Sequence, residues 1–143
     1  MNHYRHIGKD FVPPDIAGKV TGKAKYAEDF RADGMVYARV YTSPMAHGRV
    51  TGIDTSAIDG MEGLIGILTA DDLPPVEPPN APMLTNTPVY NGEPILAVAA
   101  VDEKTAEDAI ARIKVQIEPL PFVVDPLDSL VEGGPDAREE GNV

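Results

Sequence analysis

The side chains that could do chemistry in this sequence are few, and the three histidines come first. They are His3, His6 and His47. His3 and His6 are three residues apart and would share a face only on a helix, but the N-terminal residues carry no helical pattern. No third ligand lies near them in sequence. We therefore expect no metal site there and interpret this terminus as an extended arm that lies on a partner surface.

Ser43 and His47 are the two residues in this sequence that most resemble a nucleophile with its general base. Neither residue lies in a nucleophile-elbow context, and a triad also needs an acid that orients the base in space. A small hydrolase built from Ser43, His47 and an aspartate is therefore a minor alternative. Asp71 and Asp72 are adjacent, and on a helical turn adjacent side chains point about 100° apart. We interpret them as helix-capping residues rather than as an acid/base pair.

Two glycines among lysines, Gly18 and Gly22, suggest a phosphate-binding loop at first sight. Their spacing does not fit the Walker pattern, and no Lys-Ser or Lys-Thr pair follows the second glycine. The stretch Gly18–Phe30 is better interpreted as a turn that leads into a short strand. The sequence thus predicts no catalytic residue, no cofactor-binding residue and no metal ligand.

The composition excludes several classes of function. The chain has 143 residues and a formal net charge of −11, with 23 acidic against 12 basic side chains. Nucleic-acid binding depends on clustered Lys and Arg, so this balance argues against it. Cysteine is absent, which excludes disulfides, Fe–S ligation and zinc–thiolate sites on this chain. The longest apolar run is far below the roughly 18 residues that span a membrane. We expect a soluble, cytoplasmic domain.

The segment Val89–Pro121 should organise the fold. A turn-prone Asn91–Gly92 precedes an apolar strand, and Asp102 can cap the helix that follows. The apolar positions of this helix recur at helical spacing, and the sequence then alternates as a half-buried strand up to Pro119. This pattern predicts strand–helix–strand, with the helix inside roughly residues 102–114. The helix face toward the core consists of Ala106, Ala109, Ile110 and Ile113.

Three further strands are predicted, at Met35–Tyr41, Arg49–Asp54 and Leu64–Leu68, the last of them buried. Short helical turns are also predicted, one capped by Thr55 or Ser56 and running through Met61, the other capped by Thr69. The arrangement is α+β. Residues 1–20 are predicted to be an irregular lead-in, because Pro13–Pro14 disfavours helix. Residues 21–131 should form the domain, and residues 132–143 a polar linker.

Several stretches, in the same order, resemble the N-terminal domain of molybdenum hydroxylase large subunits, the xanthine dehydrogenase and aldehyde oxidase family. They are Asp15–Phe30, Met35–Asp54, Leu64–Pro74 and Val89–Pro121, followed by Val124–Pro126. The resemblance covers about four fifths of the chain. It implies the α/β hammerhead fold, a twisted mixed sheet with one main helix and one minor helix.

One departure from the family pattern is Glu93, where glutamine is more usual. We expect this change to lie on the surface of a turn and to alter little. In the family, the cofactor contacts and the catalytic glutamate come after this domain. The polar tail that ends at Gly141–Val143 fits a cut just before the cofactor-binding part.

The resemblance implies a non-catalytic structural domain or small subunit, inactive alone, that buttresses the molybdopterin-binding portion of an oxidoreductase. The assembled enzyme would hydroxylate a purine, an N-heterocycle or an aldehyde. It would use molybdopterin, [2Fe–2S] clusters, and FAD or another acceptor. The partners would be a molybdopterin-binding domain or subunit, an Fe–S subunit and, where the acceptor is FAD, a flavin subunit. The alternative is a stand-alone acidic protein-binding module.

The proline-rich loop Pro74–Pro88 should run extended over the surface. It carries Met83 and Leu84, apolar residues for which a solvated loop has no use. We expect the pair to be buried only when the assembled enzyme forms. The other possibility is that both residues fold back onto this domain's own sheet.

Overall fold

A computed structural model describes residues 5–76 and 82–131 of the chain. The chain divides into two compact units, Met1–Met35 and Val36–Val143. His3 and the predicted linker 132–143 lie outside the described residues. The domain boundaries at residues 21 and 131 stay predictions. No helix in the described ranges is long and apolar enough to cross a membrane.

The first unit contains a short helix, α1 (Ile16–Val20), and a 3₁₀ turn at Ala27–Asp29. The prediction that residues 1–20 are irregular was therefore wrong for Ile16–Val20, which are helical. Pro13 and Pro14 restrict only their own backbone angles and those of the residue before each. The chain is therefore free to become helical from Asp15 onward. The carbonyl of Pro13 accepts from the Ile16 amide at 3.1 Å.

The short strand predicted within Gly18–Phe30 is also absent from the described residues. The chain leaves α1 through Gly22, whose φ of +69° is strained for other residues. In place of a strand, the Tyr26 amide donates to the Asp29 carboxylate at 2.9 Å. This bond closes the 3₁₀ turn, a local alternative to strand pairing that aspartate favours.

The second unit contains five strands and one longer helix in its described residues. The strands are β1 (Tyr37–Thr42), β2 (Gly48–Asp54), β3 (Leu64–Thr69), β4 (Pro94–Ala100) and β5 (Lys114–Pro119), and the helix is α2 (Glu103–Arg112). The first sheet has the order β1–β4–β3, and the second pairs β2 with β5. Single 3₁₀ turns lie at Ser56–Ile58, Ala70–Asp72 and Asp128–Leu130.

The predicted strand–helix–strand segment is confirmed as β4, α2 and β5. The Asp102 carboxylate accepts from the Thr105 amide at 2.7 Å and so caps α2. This backbone hydrogen bond is the main reason why the pKa of Asp102 lies below its ordinary value. Ile113 adopts extended backbone angles, and β5 begins at the next residue.

The core lies between α2 and one face of the first sheet. Ala106 and Ala109 of α2 are fully buried, as are Leu96 and Val98 of β4. Two alanines allow the helix axis to approach the sheet closely, because little side-chain volume then lies between the helix and the sheet. The second sheet reaches the same cluster through partly buried side chains such as Ile53 and Val115.

Arg39 of β1 adds an ionic contact at the edge of this core. Its guanidinium pairs with Glu103 and, at 3.2 Å, with Glu107, both on α2. The hydrogen bond that Arg39 donates to Glu107 is the first cause of the raised pKa of Arg39. All three side chains are well exposed to solvent, so these two ion pairs should add little to stability. We infer that they help to orient the helix on the sheet.

The α+β class is confirmed, but the expectation of one mixed sheet is not met in the described residues. Every strand pair there is antiparallel, and the strands form two sheets. Both edges of β4 are occupied, by β1 and by β3, so β5 pairs with β2 instead.

The strand Leu64–Leu68 was predicted to be buried, and this was wrong. It is an edge strand, β3, and Ile65 and Leu68 are 56% and 39% exposed. A continuous apolar run does not reveal how many faces of a strand are covered. Here α2 covers one face only.

The register of α2 generates a testable prediction. Ala109→Asp would place an unpartnered carboxylate in the core and should destabilise the chain by several kcal/mol. The matched control is Ala111→Asp, the same change at an exposed position of the same helix, which should stay within about 0.5 kcal/mol. Urea unfolding followed by circular dichroism would measure both. Equal tolerance of the two changes would contradict the helix register.

Candidate functional site

Ser43 lies in the loop between β1 and β2, and its side chain is buried. The hydroxyl donates to the carbonyl of Met45 at 2.8 Å and accepts from the Met45 amide at 3.2 Å. Its single proton is therefore engaged by a backbone carbonyl two residues along the chain. This is the local turn geometry that serine favours, and it stabilises the loop.

His47 ends the same loop and is also buried. Its Nδ1 lies 2.7 Å from the carbonyl oxygen of Pro121. A carbonyl only accepts, so Nδ1 carries the proton. The backbone oxygen of His47 accepts in turn from the Leu120 amide at 3.1 Å. His47 thus fastens the end of β5 to the β1–β2 loop, and no hydrogen bond between described residues joins it to Ser43.

The segment before β4 is tied to Ser43 by two backbone hydrogen bonds. The Ser43 amide donates to the carbonyl of Glu93, and the Gly92 amide donates to the carbonyl of Ser43, both at 2.8 Å. Gly92 has a φ of +96°, which confirms the turn predicted at Asn91–Gly92. Together these bonds extend the β1–β4 pairing by one step into the loops.

Glu93 was expected on the surface of this turn, and that was wrong. Its side chain is partly buried, and its Oε2 accepts from the amide of Val89 at 2.5 Å. The carboxylate therefore closes the turn that leads into β4. The glutamine more usual in the family also carries a side-chain oxygen able to accept this bond, so the departure retains the acceptor.

Leu84 and Met83 have different surroundings, although they were expected to behave as a pair. Leu84 is 6% exposed and belongs to the domain's own core, whereas Met83 is 75% exposed. The expectation that both residues stay free until the enzyme assembles is wrong for Leu84. The part of the loop at 77–81 lies outside the described residues.

Backbone hydrogen bonds hold the loop at 85–88 against both sheets. The Thr85 amide donates to the carbonyl of Pro94 at 3.0 Å, at the start of β4. The carbonyls of Asn86 and Pro88 accept from the amides of Val50 and Gly48, at 2.8 and 3.0 Å. The loop therefore runs along the edge of β2 and connects the two sheets. Proline at position 88 is compatible with this role, because only its carbonyl is used.

Asp71 and Asp72 have separate partners, and the interpretation as capping residues is confirmed for Asp72 but is wrong for Asp71, which binds a side chain of another loop. Asp72 accepts from the amide and the hydroxyl of Thr69 at 2.8 and 2.7 Å. The hydroxyl bond is the first cause of the lowered pKa of Asp72. Asp71 accepts from the side-chain amide of Asn86 at 2.8 Å, a contact that the sequence pattern did not indicate.

A shallow polar depression of about 310 Å³ lies beside this contact. Thr51 and Thr69 line it together with Asp71 and Asn86. The polar ends of the last two already bind each other, so the depression offers few free groups to a ligand.

The glycine-rich stretch does not present a phosphate cradle in the first unit. The amides of Lys23 and Ala24 both donate to the carbonyl of Gly18 at 2.9 Å. These amides are used within the turn, whereas a phosphate loop directs its amides toward the ligand.

The described residues also offer no ligand set for an Fe–S cluster or for a metal ion bound by protein side chains alone. They contain no group of three or more His, Asp or Glu side chains placed to hold a metal ion. With no cysteine in the sequence, there is no thiolate for an Fe–S cluster.

Residues 21–121 match the family model of the α/β hammerhead domain of aldehyde oxidase and xanthine dehydrogenase. The chain belongs to this family. The match includes all five strands and α2 of the second unit.

Individual hammerhead relatives agree with this assignment. The nicotine 6-hydroxylase large subunit of Paenarthrobacter nicotinovorans is 35% identical over 94% of this chain and 18% of its own length. The xanthine dehydrogenase molybdenum-binding subunit of Escherichia coli O157:H7 is 29% identical over 90% of this chain and 19% of its own. The crystal structure of a Cu,Mo-CO dehydrogenase superposes with a TM-score of 0.81 and 28% identity, over 93% of this chain and 18% of that one. The chain thus spans about a fifth of the length of these curated relatives.

The bond between His47 and Pro121 gives the second prediction. His47→Leu would leave the Pro121 carbonyl without its donor and should lower the free energy of unfolding by about 1–3 kcal/mol. His6→Leu, the same change at an exposed histidine, should have an effect within about 0.5 kcal/mol. Urea unfolding of both variants is the measurement. A His47 variant as stable as the parent chain would show that the histidine does not hold β5 to the loop.

Proposed function

We propose that this chain is a non-catalytic structural domain of a molybdenum hydroxylase large subunit, and that it buttresses the molybdopterin-binding portion. The observation that carries the proposal is the use made of its polar side chains. Ser43, His47, Glu93 and Asp71 all bind loop backbone or a neighbouring loop side chain. These bonds shape the loops at one end of the two sheets, which supports a structural role.

The proposed assembled enzyme is an oxidoreductase that hydroxylates an N-heterocycle, a purine or an aldehyde. The names of the relatives, nicotine 6-hydroxylase and xanthine dehydrogenase among them, support an N-heterocyclic substrate. In this proposal, molybdopterin, [2Fe–2S] clusters and an acceptor such as FAD are held by other domains or subunits of a cytoplasmic complex. The names "large subunit" and "molybdenum-binding subunit" support a heteromeric assembly.

The proposal predicts the cofactor content of the purified chain. Expressed alone in a host that makes molybdopterin, the 143-residue chain should contain neither molybdenum nor iron in stoichiometric amount, and no flavin. Elemental analysis and absorption spectroscopy would measure this. Co-expression with the molybdopterin-bearing remainder of the large subunit should give a complex that carries molybdenum. Stoichiometric molybdenum on the isolated chain would contradict the proposal, and so would failure of the two parts to associate.

Met83 is the proposed contact between the loop and the neighbouring portion. Met83→Ser should leave the stability of the chain within about 0.5 kcal/mol, because the side chain is already exposed. It should weaken association with the molybdopterin-bearing remainder, measured by titration calorimetry. Leu84→Ser removes a buried side chain and should destabilise the chain by about 2–5 kcal/mol. Unchanged affinity in the Met83 variant would exclude this residue from the contact.

A further inference from the structure

Among the described residues, the face of the first sheet that turns away from α2 is apolar and partly exposed, although Ile95 at one end of it is buried. The opposite face packs on α2 through Leu96 and Val98, so the alternate residues of the same strands point away from the core. The strand register aligns these residues in two rows of three, each with its middle member on β4. We refer to the six as the open face: Ala38, Ala99 and Gly66 in one row, and Val40, Ala97 and Leu68 in the other.

The open face carries no ionisable side chain, although the chain as a whole has a net charge of −11. Its first row consists of two alanines and a glycine, while Val40 and Leu68 stand higher beside Ala97 and are 45% and 39% exposed. A depression of about 300 Å³ lies over the small residues. A Cβ built on Gly66 meets no atom within 4 Å, so there is free space directly above it.

The size of the open face limits what can occupy it. Strands lie about 4.8 Å apart and alternate residues about 6.7 Å apart, which gives an area on the order of 200 Å². A stable complex between separate proteins buries about 800 Å² on each partner. A second copy of the chain would therefore gain too little from this face alone. A neighbour in the same polypeptide, or one docked elsewhere on it, is present at roughly millimolar effective concentration and can use so small a contact.

We propose that the open face is a docking surface for the molybdopterin-bearing portion of the large subunit, which seats an uncharged segment with large apolar side chains in the depression above Gly66 and Ala99. This inference rests on the function proposed above. The length of the relatives supports the choice of occupant, since this chain matches only 18–19% of each of the two large-chain relatives described above. The small residues accept the protruding side chains, and the absence of charge avoids the cost of dehydrating ions.

The first test measures accessibility of the open face. The chain has no cysteine, so Ala38→Cys and Gln116→Cys each introduce a single thiol, the first on the open face and the second on an exposed position of β5. Maleimide labelling, followed by peptide mass spectrometry, is compared with and without the molybdopterin-bearing remainder. We expect the complex to slow labelling at position 38 by about tenfold or more and to leave position 116 unchanged.

The second test fills the depression. Gly66 has no positive φ and free space above it, so Gly66→Phe should leave the melting temperature of the 143-residue chain unchanged. It should weaken association with the remainder by about tenfold, because the added ring occupies the partner's place. Gln116→Phe, the same ring on the other sheet, should leave the affinity unchanged.

The outcomes separate the two proposals. A complex that forms while position 38 is labelled at its original rate would overturn the open face as the docking surface and leave the proposed function standing. Slow labelling at position 38 in the isolated chain would overturn it as well, because the chain's own residues would then cover the face. If no complex forms, both proposals fail. Should Gly66→Phe unfold the chain, the labelling comparison decides alone.

Discussion

The close approach of α2 to the first sheet is the contact on which the rest of the structure depends. Ala106 and Ala109 are fully buried against β4, and a larger side chain at either position would push the helix outward. Since α2 continues directly into β5 after Ile113, the position of the helix also determines where the second sheet lies. One packing contact therefore sets the geometry of both sheets.

The loops at one end of the sheets depend on that geometry. The segment at 85–88 bonds to β2 and to the start of β4, and His47 reaches the carbonyl of Pro121 just beyond β5. These bonds have nearly fixed lengths, so they form together only when the two sheets are correctly spaced. The buried Ser43 and His47 are best explained as parts of this network, because each bonds a backbone carbonyl.

Local sequence patterns predicted which helices and strands form better than they predicted what those elements pack against. The Asp102 cap and the alanine spacing of α2 were readable because both depend on residues three or four positions apart. The open side of β3 was not readable, since the apolar run around Ile65 is the same whether one face is covered or two. The different positions of Met83 and Leu84, and the bond from Asn86 to Asp71, arise from contacts distant in sequence. No periodicity encodes such contacts.

The two faces of the first sheet therefore have different tasks. The face on α2 provides the stability of the domain, and large residues such as Leu96 fill it. The open face consists mainly of small residues, with Val40 and Leu68 beside them, and it carries no ionisable side chain. In an acidic chain, a solvated face would have no reason to exclude ionisable side chains. A surface that contributes little to the core and avoids charge is suited to a neighbour, as the proposed buttressing role requires.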